Sequence, residues 1–199
     1  MSDLIPSRPL ADPSAGGLSS ASDPDLAAVR AAQRDPADFA VLYHRYLDAV
    51  YSYAFYQLGD HHDAEDATAR TFMAALRAIG SFRDEGASFR AWLFRIARNT
   101  MANAHRTRSR RRTEPMDAIA LEPPAPDADP AGLALRAEEA RRIRAAVAAL
   151  PDDRRQVVLL RFADGLSARE IGQVLDRSEG AVRVLLHRAL KDLAVQLNS

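Results

Sequence analysis

The chain has 199 residues, enough for one ordinary domain or two small ones, and its 47% hydrophobic and 27% charged content is that of a globular protein. Its 27 basic and 27 acidic side chains cancel, so a face for nucleic acid has to be sought segment by segment. The absence of cysteine excludes disulfides and thiolate metal sites. No stretch approaches the ~20 apolar residues of a membrane span, so no membrane insertion is expected. The start, MSDLIPSRPL, lacks the order of a secretory signal, and a cytoplasmic location is expected.

Residues 1–34, rich in Ala, Ser, Pro and Asp, read as a flexible N-terminal extension with a weak helix near 24–33. Order is expected from Asp35, a helix cap, followed by Pro36 at a first helical position. The series Phe39, Leu42, Tyr43, Tyr46, Leu47, Val50, Tyr51, Ala54 and Leu58 has the three-four spacing of an amphipathic helix, and Gly59 can end it. Asp60 then caps a helix whose buried stripe is Ala64, Ala67, Thr68, Thr71, Phe72, Ala75, Leu76 and Ile79. After Gly80 and the loop SFRDEGASF, Ser88 is placed to cap a third helix through AWLFRIARNTMANAHR.

Residues 95–112 carry arginines and no acid, whereas 113–135 carry acids, five prolines and no basic residue. The latter composition cannot build a core and reads as an extended linker. A second helical set follows over 136–199. Pro151 opens a helix carrying Val157, Val158, Leu160 and Phe162, and Gly165 closes it. Ser167 and Glu170 form a capping-box pattern before Ile171, Val174 and Leu175. Ser178 caps a last helix with Val182, Leu185, Leu186, Ala189, Leu190, Leu193 and Leu197 on one face. No strand pattern competes, so the expected fold is all-α, with two helical domains, 35–112 and 136–199.

Three constellations carry chemistry. The two short capped helices near the C-terminus form a helix-turn-helix pattern, whose second helix presents Arg177, Arg183, His187, Arg188 and Lys191 away from its apolar face. Such a helix enters the major groove, where arginines pair with guanine, and the small groups at Ser178, Glu179 and Gly180 allow close approach. A plain helical hairpin with a solvated basic face has the same pattern. The second constellation is Arg95, Arg98, Asn99, Asn103 and Arg106 on one helix with Trp92, just after Phe82 and Phe89. Charge beside aromatics and amides suits melted or single-stranded nucleic acid, although Trp92, Phe94 and Ile96 equally suit a core. The third is GDHHDAEDATARTF, residues 59–72, dense in His and acids. On a helix the adjacent His61 and His62 diverge, and Arg70 one turn beyond Asp66 repels a cation, so no metal site is expected. Asp66, Arg70, Met73 and Arg77 instead share an outward face, and an exposed Met73 among charges suits docking to another protein. No nucleophile with a base, Walker loop or dinucleotide fingerprint is present, and neither catalytic residues nor cofactors are expected.

Taken in order, these segments resemble the extracytoplasmic-function branch of the sigma-70 family of bacterial RNA polymerase sigma factors, over roughly residues 36–195. DAEDATARTFMAAL resembles the family's region 2.2, which implies docking of Asp63, Glu65, Asp66, Thr68, Thr71, Phe72 and Met73 on the clamp coiled coil of the beta-prime subunit. Ala69-Arg70 stands where members often carry Gln-Glu. SFRDEGASFRAWLFRIARNTMANAHR resembles regions 2.3 and 2.4. The resemblance implies that the loop 82–89, with Phe82, Arg83 and Phe89, holds a flipped base of the minus-ten element, and that Arg95, Arg98, Asn99, Asn103 and Arg106 lie along the non-template strand. Asn103 stands where Asp is common. LPDDRRQVVLLRFADGLSAREIGQVLDRSEGAVRVLLHRAL resembles region 4. This implies minus-thirty-five duplex reading by Arg177, Ser178, Glu179, Gly180, Arg183, His187 and Arg188, and a contact with the beta flap.

The resemblance therefore implies a non-catalytic specificity subunit whose partners are core RNA polymerase, promoter DNA and an anti-sigma factor. It also implies that the acidic linker threads a channel later used by RNA. A stand-alone helix-turn-helix regulator and a metal-dependent hydrolase at His61–Asp66 are the alternative readings.

Overall fold

The computed structural model describes residues 23–84, 86–111 and 130–198, with side chains to Ala102 and from Glu138 onward. Among these residues the regular structure is helical: α1 (Leu26–Arg34), α2 (Phe39–Leu58), α3 (His61–Ala78), α4 (Phe89–Arg111), α5 (Pro130–Ala149), α6 (Asp152–Asp164), α7 (Ala168–Leu175) and α8 (Glu179–Leu197). Short 3-10 turns precede α2 and follow α3.

The helix borders lie where local chemistry puts them. Asp35 Oδ1 accepts from the Ala37 amide at 2.9 Å, with Pro36 opening the turn into α2. Gly59, at φ +75°, ends α2 in the left-handed region that a Cβ disfavours. Asp60 accepts from the Asp63 amide at 2.8 Å to start α3, and Ser88 Oγ accepts from Ala91 at 3.2 Å to start α4. Ser167 and Glu170 close a reciprocal capping box on α7. Ser178 Oγ accepts from Ala181 at 3.2 Å to start α8. Each such cap stabilises its helix by about 1 kcal/mol.

The first four helices pack around Val29, Leu42, Val50, Phe72, Leu93 and Phe94, and the last four around Val157, Leu160, Ile171, Val174 and Val182. The two helical halves are present as expected, and they are packed on one another. α6 lies against α2 and α7 against α4, so the apolar core runs through both halves. Tyr53, absent from the periodic series read for α2, is 1% exposed, stacks edge-on against Phe94 and donates from its hydroxyl to Gln156 Oε1 at 2.6 Å. Burial pushes its phenol well above the ordinary range, which keeps the proton on the donor side of that bond.

Two boundaries differ from expectation. The extension expected to be flexible to residue 34 is ordered from Asp23. α1 buries Val29 and Ala32 at 1% exposure each. Asp25, also 1% exposed, accepts from Tyr46 Oη and from the Arg45 guanidinium, both on α2. A short Ala-rich helix with one buried stripe gains its stability from such tertiary contacts, which composition does not report. Residues 1–22 lie outside the described residues. The linker expected over 113–135 gives way to α5 at Pro130, a residue suited to a first helical turn, and its remainder to residue 129 lies outside the described residues.

Candidate nucleic-acid interface

The helix-turn-helix is α7, the tight turn Asp176–Ser178 and α8. Asp176 takes the left-handed conformation at φ 56°, ψ 51°, which an aspartate tolerates better than most residues. The chain then doubles back over Gly172. The Arg177 amide donates to Gly172 O at 2.9 Å, and a Cβ at position 172 would sit 2.5 Å from the Arg177 carbonyl oxygen. Beyond this turn, Arg177, Ser178, Glu179, Gly180, Arg183, His187 and Arg188 are all exposed on one side, while Val182 and Ala189 are buried on the other. Arg183 pairs with Glu179 one turn earlier. All seven residues read for duplex contact are thus brought together on a rigid, capped element.

The second face belongs to α3. Glu65 and Asp66 are exposed, Asp63 is half-buried and Met73 is 50% exposed, so four of the seven residues read for docking share the outside. Thr68, Thr71 and Phe72 are at most 5% exposed and sit in the core; Thr71 donates to Ala67 O at 2.7 Å, and Phe72 rests edge-on against Tyr43. They position the helix and are not available to a partner. Asp66 accepts from Arg70, with 2.7 Å between Oδ2 and Nη2. His61 turns inward, its ring stacked 4.3 Å from Phe55 and its Nδ1 paired with Tyr51 Oη. No three potential metal ligands converge among the described residues.

The third face is the loop before α4 and α4 itself. Phe82 and Phe89, expected to meet a base, are 5% and 0% exposed. With Trp92 they form a cluster of edge and tilted contacts at 5.4–5.8 Å. Their rings anchor the loop from inside, and the exposed members are Ser81, Arg83, Asp84 and Gly86. Arg95 and Asn99 are exposed and Arg98 is half-buried on α4; the side chains of Asn103 and Arg106 lie outside the described residues.

α7 covers part of this face. Arg90 forks onto both carboxylate oxygens of Glu170 at 2.9 and 2.7 Å, donates to Asp164 O at 3.1 Å and lies 3.6 Å from the Asp164 carboxylate. Ser88 Oγ donates to Glu170 at 2.7 Å. Arg95 donates to Gln173 O at 2.6 Å, and Gln173 donates back to Gly86 O. Burial opposes the charge on Glu170, but the Ser167 amide, Arg90 and the Ser88 and Ser167 hydroxyls outweigh it, and its pKa is lowered. One carboxylate therefore caps α7 and holds the other half of the molecule.

The model of sigma-70 region 2 matches residues 42–111, and that of sigma-70 region 4 matches residues 140–193. The ECF RNA polymerase sigma factor SigW of Bacillus subtilis is 31% identical over 172 residues, covering 82% of this chain and 90% of that protein. The chain belongs to the ECF RNA polymerase sigma factors.

Within this family, the ECF RNA polymerase sigma factor BldN of Streptomyces coelicolor is 39% identical over 167 residues, covering 83% of this chain and 63% of that protein. The chain thus spans less than two thirds of that relative's length. The fold is similar to that of the sigma factor RpoE from Bartonella quintana, solved in complex with the anti-sigma factor NepR, with a TM-score of 0.65 over 81% of this chain and 97% of that one, at 24% identity.

The region 2 match takes in most of α2 and all of α3 and α4, and the region 4 match runs from within α5 into α8. α1 lies outside both. Sequence reasoning named neither Gly172 nor Arg90, and it saw Glu170 only as a cap. A glycine inside a strongly periodic helix was the available signal for the first. The other two depend on a contact between residues 80 positions apart.

Proposed function

We infer that this chain is a promoter-specificity subunit of RNA polymerase. It binds the core enzyme, reads a minus-thirty-five element as duplex and opens a minus-ten element, with the covalent chemistry left to the polymerase. The observation that carries the reading is the exposed set Arg177, Ser178, Glu179, Gly180, Arg183, His187 and Arg188 on the turn and the first half of α8, held behind a capped turn. Arginines there are placed for base edges, and the start of α8 for a phosphate. Asp63, Glu65, Asp66 and Met73, beside the exposed Arg70 and Arg77, supply a charged face with one apolar contact for the clamp coiled coil of the polymerase. Arg83, Arg95, Arg98 and Asn99 line the path of the melted strand, and Asn103 and Arg106, whose side chains lie outside the described residues, are proposed for the same strand from their order along α4. That role belongs in the cytoplasm. No helix among the described residues is long and apolar enough to cross a membrane. An anti-sigma factor is its expected regulator, as NepR is the partner of the similarly folded RpoE.

Part of the face proposed for the melted strand lies under α7, so the two halves separate when the chain engages both elements.

Mixing the protein with core polymerase and sequencing transcript starts on genomic DNA tests the function. A shared two-part motif at the starts is expected; starts with no common motif would sink the reading. A stand-alone regulator would instead bind an operator tightly without polymerase.

Asp66→Arg tests the docking face. It reverses charge at an exposed position, where the ion pair with Arg70 is worth about 0.5 kcal/mol, so the fold is expected to survive. Affinity for core polymerase is expected to fall about tenfold or more, by the ~1.4 kcal/mol that a misplaced interfacial charge readily costs, with duplex binding by the helix-turn-helix unchanged. Equal core affinity would remove α3 from the interface.

A further inference from the structure

Both ends of the 82–89 loop are held by a helix that neither family model covers. α3 ends in the turn Ile79–Ser81, where the Phe82 amide donates to Ile79 O at 3.0 Å and Arg83 Nη1 donates to Gly80 O at 3.0 Å and Phe82 O at 2.9 Å, leaving further lone pairs on these carbonyls for a second donor. Gln33, on α1, reaches across and donates from Nε2 to Ile79 O at 3.0 Å and to Phe82 O at 3.1 Å. α4 begins at Phe89, whose amide is one of the unpaired donors of a helix start. Asp23, just before α1, accepts that amide on Oδ2 at 2.5 Å, and its Oδ1 accepts from the Asp25 amide at 3.0 Å.

The brace is itself anchored. The buried Asp25 carboxylate is fixed by Arg45 and Tyr46 of α2, and Val29 and Ala32 seat α1 in the core. One short helix therefore caps the end of α3 and the start of α4 at the two points where the loop leaves and rejoins the bundle. Phe82 and Phe89 are buried at the same two points, so the chain between them has its ends fixed by rings inside and hydrogen bonds outside.

We propose that Asp23 and Gln33 are positioning residues for promoter opening: they hold the 82–89 loop in the shape that receives an unpaired base, without touching DNA. The proposal rests on reading that loop as the part that captures the melted strand. A loop whose ends are fixed before binding loses little conformational freedom when the base enters, and that saving appears as affinity. Freed from either cap, the loop samples other shapes and the saving is lost. The effect is confined to single-stranded recognition, because the docking face of α3 and the duplex face of α8 are built by other contacts.

The test uses the chain assembled with core polymerase and a single-stranded oligonucleotide carrying the non-template minus-ten sequence of a promoter found by the transcript-start experiment. Gln33→Ala and Asp23→Ala are each expected to weaken oligonucleotide binding about tenfold, the effect of losing one or two hydrogen bonds to the backbone. Core affinity and binding to a minus-thirty-five duplex are expected to stay within about twofold of wild type, well under the ~1.4 kcal/mol of a tenfold change. Asp23→Asn keeps one acceptor oxygen of the two in use and is expected to lose less binding than Asp23→Ala. Gln33→Met keeps the bulk and removes only the amide, so it is expected to show the same loss even where truncation to alanine loosens α1. The proposal is overturned if the alanine variants bind the oligonucleotide as wild type does, or if core affinity falls in the same proportion, which marks a merely structural role. Failure of the wild-type complex to bind the oligonucleotide overturns the reading of the loop together with the proposal; wild-type binding with unaffected variants overturns the brace alone.

Discussion

Gly172→Ala is expected to break the helix-turn-helix. An added Cβ would lie 2.5 Å from the Arg177 carbonyl oxygen, a backbone atom that no rotamer change can move. Arg177 also donates its backbone N–H to Gly172 O, so moving its carbonyl aside strains that hydrogen bond too. Alanine in a helix ordinarily gains about 1 kcal/mol over glycine. Here overpacking costs about 1–3 kcal/mol and the lost turn bond about another 1, so the net is destabilising by roughly 1–3 kcal/mol. Thermal unfolding of the full chain and duplex binding should both register it. Gly180 is the control: it lies inside α8 with nothing within 4 Å of its missing Cβ, and alanine there should hold or raise stability. A neutral Gly172→Ala would mean that the turn adapts and that the close approach is not required.

Arg90→Ala is expected to loosen the two halves from one another. Arg90 is 29% and Glu170 14% exposed at the side chain, and the pair is bidentate, so it stands well above a solvated surface ion pair. Its loss should favour the open form by about 1–2 kcal/mol, a 5–30-fold shift in the open-to-closed ratio. The chain has no cysteine, so dyes on cysteines introduced at the exposed Arg77 and Lys191 can read that ratio by energy transfer. Glu170 is left in place by this variant, which keeps the α7 cap and limits the effect to the contact. An unchanged ratio would show that apolar packing and the remaining hydrogen bonds between the halves, Tyr53–Gln156 and Arg95–Gln173 among them, close the molecule without Arg90.

The same contact has a pH signature. The pKa of Glu170 is lowered, and the share due to Arg90 and Ser88 exists only in the closed form. That share of the closing energy is complete at neutral pH and fades as acid drives the carboxylate through its lowered pKa. Opening should therefore increase below the ordinary carboxylate range in wild type, and do so less steeply in Arg90→Ala.

Much of the site was legible because it is built locally. Asp60, Ser88, Ser167 and Ser178 cap the helices they precede, and Gly59 and Gly165 end the helices before them, since these preferences act within one turn of chain. The exposed run from Arg177 to Arg188 follows from helical period alone. Phe82, Phe89, Thr68, Thr71 and Phe72 were read as contacts from the resemblance and are buried, as the helical period had placed Thr68, Thr71 and Phe72; a resemblance maps positions and not exposure. Whether an aromatic beside a basic helix stacks on a base or on Trp92 depends on what packs behind it.

By itself, then, the sequence determined the caps of α3, α4, α7 and α8, the apolar faces of α2, α3, α6, α7 and α8, the all-α class, the helix-turn-helix and the family. These rest on interactions spanning a few residues or on order along the chain. Only the tertiary structure decided that α1 belongs to the core, that Glu170 serves two helices at once, that Gly172 has no room for a side chain, and that α7 covers part of α4. Each of these depends on groups that are distant in sequence, or in the case of Gly172 on the path the chain takes after its turn, and no periodicity carries that information.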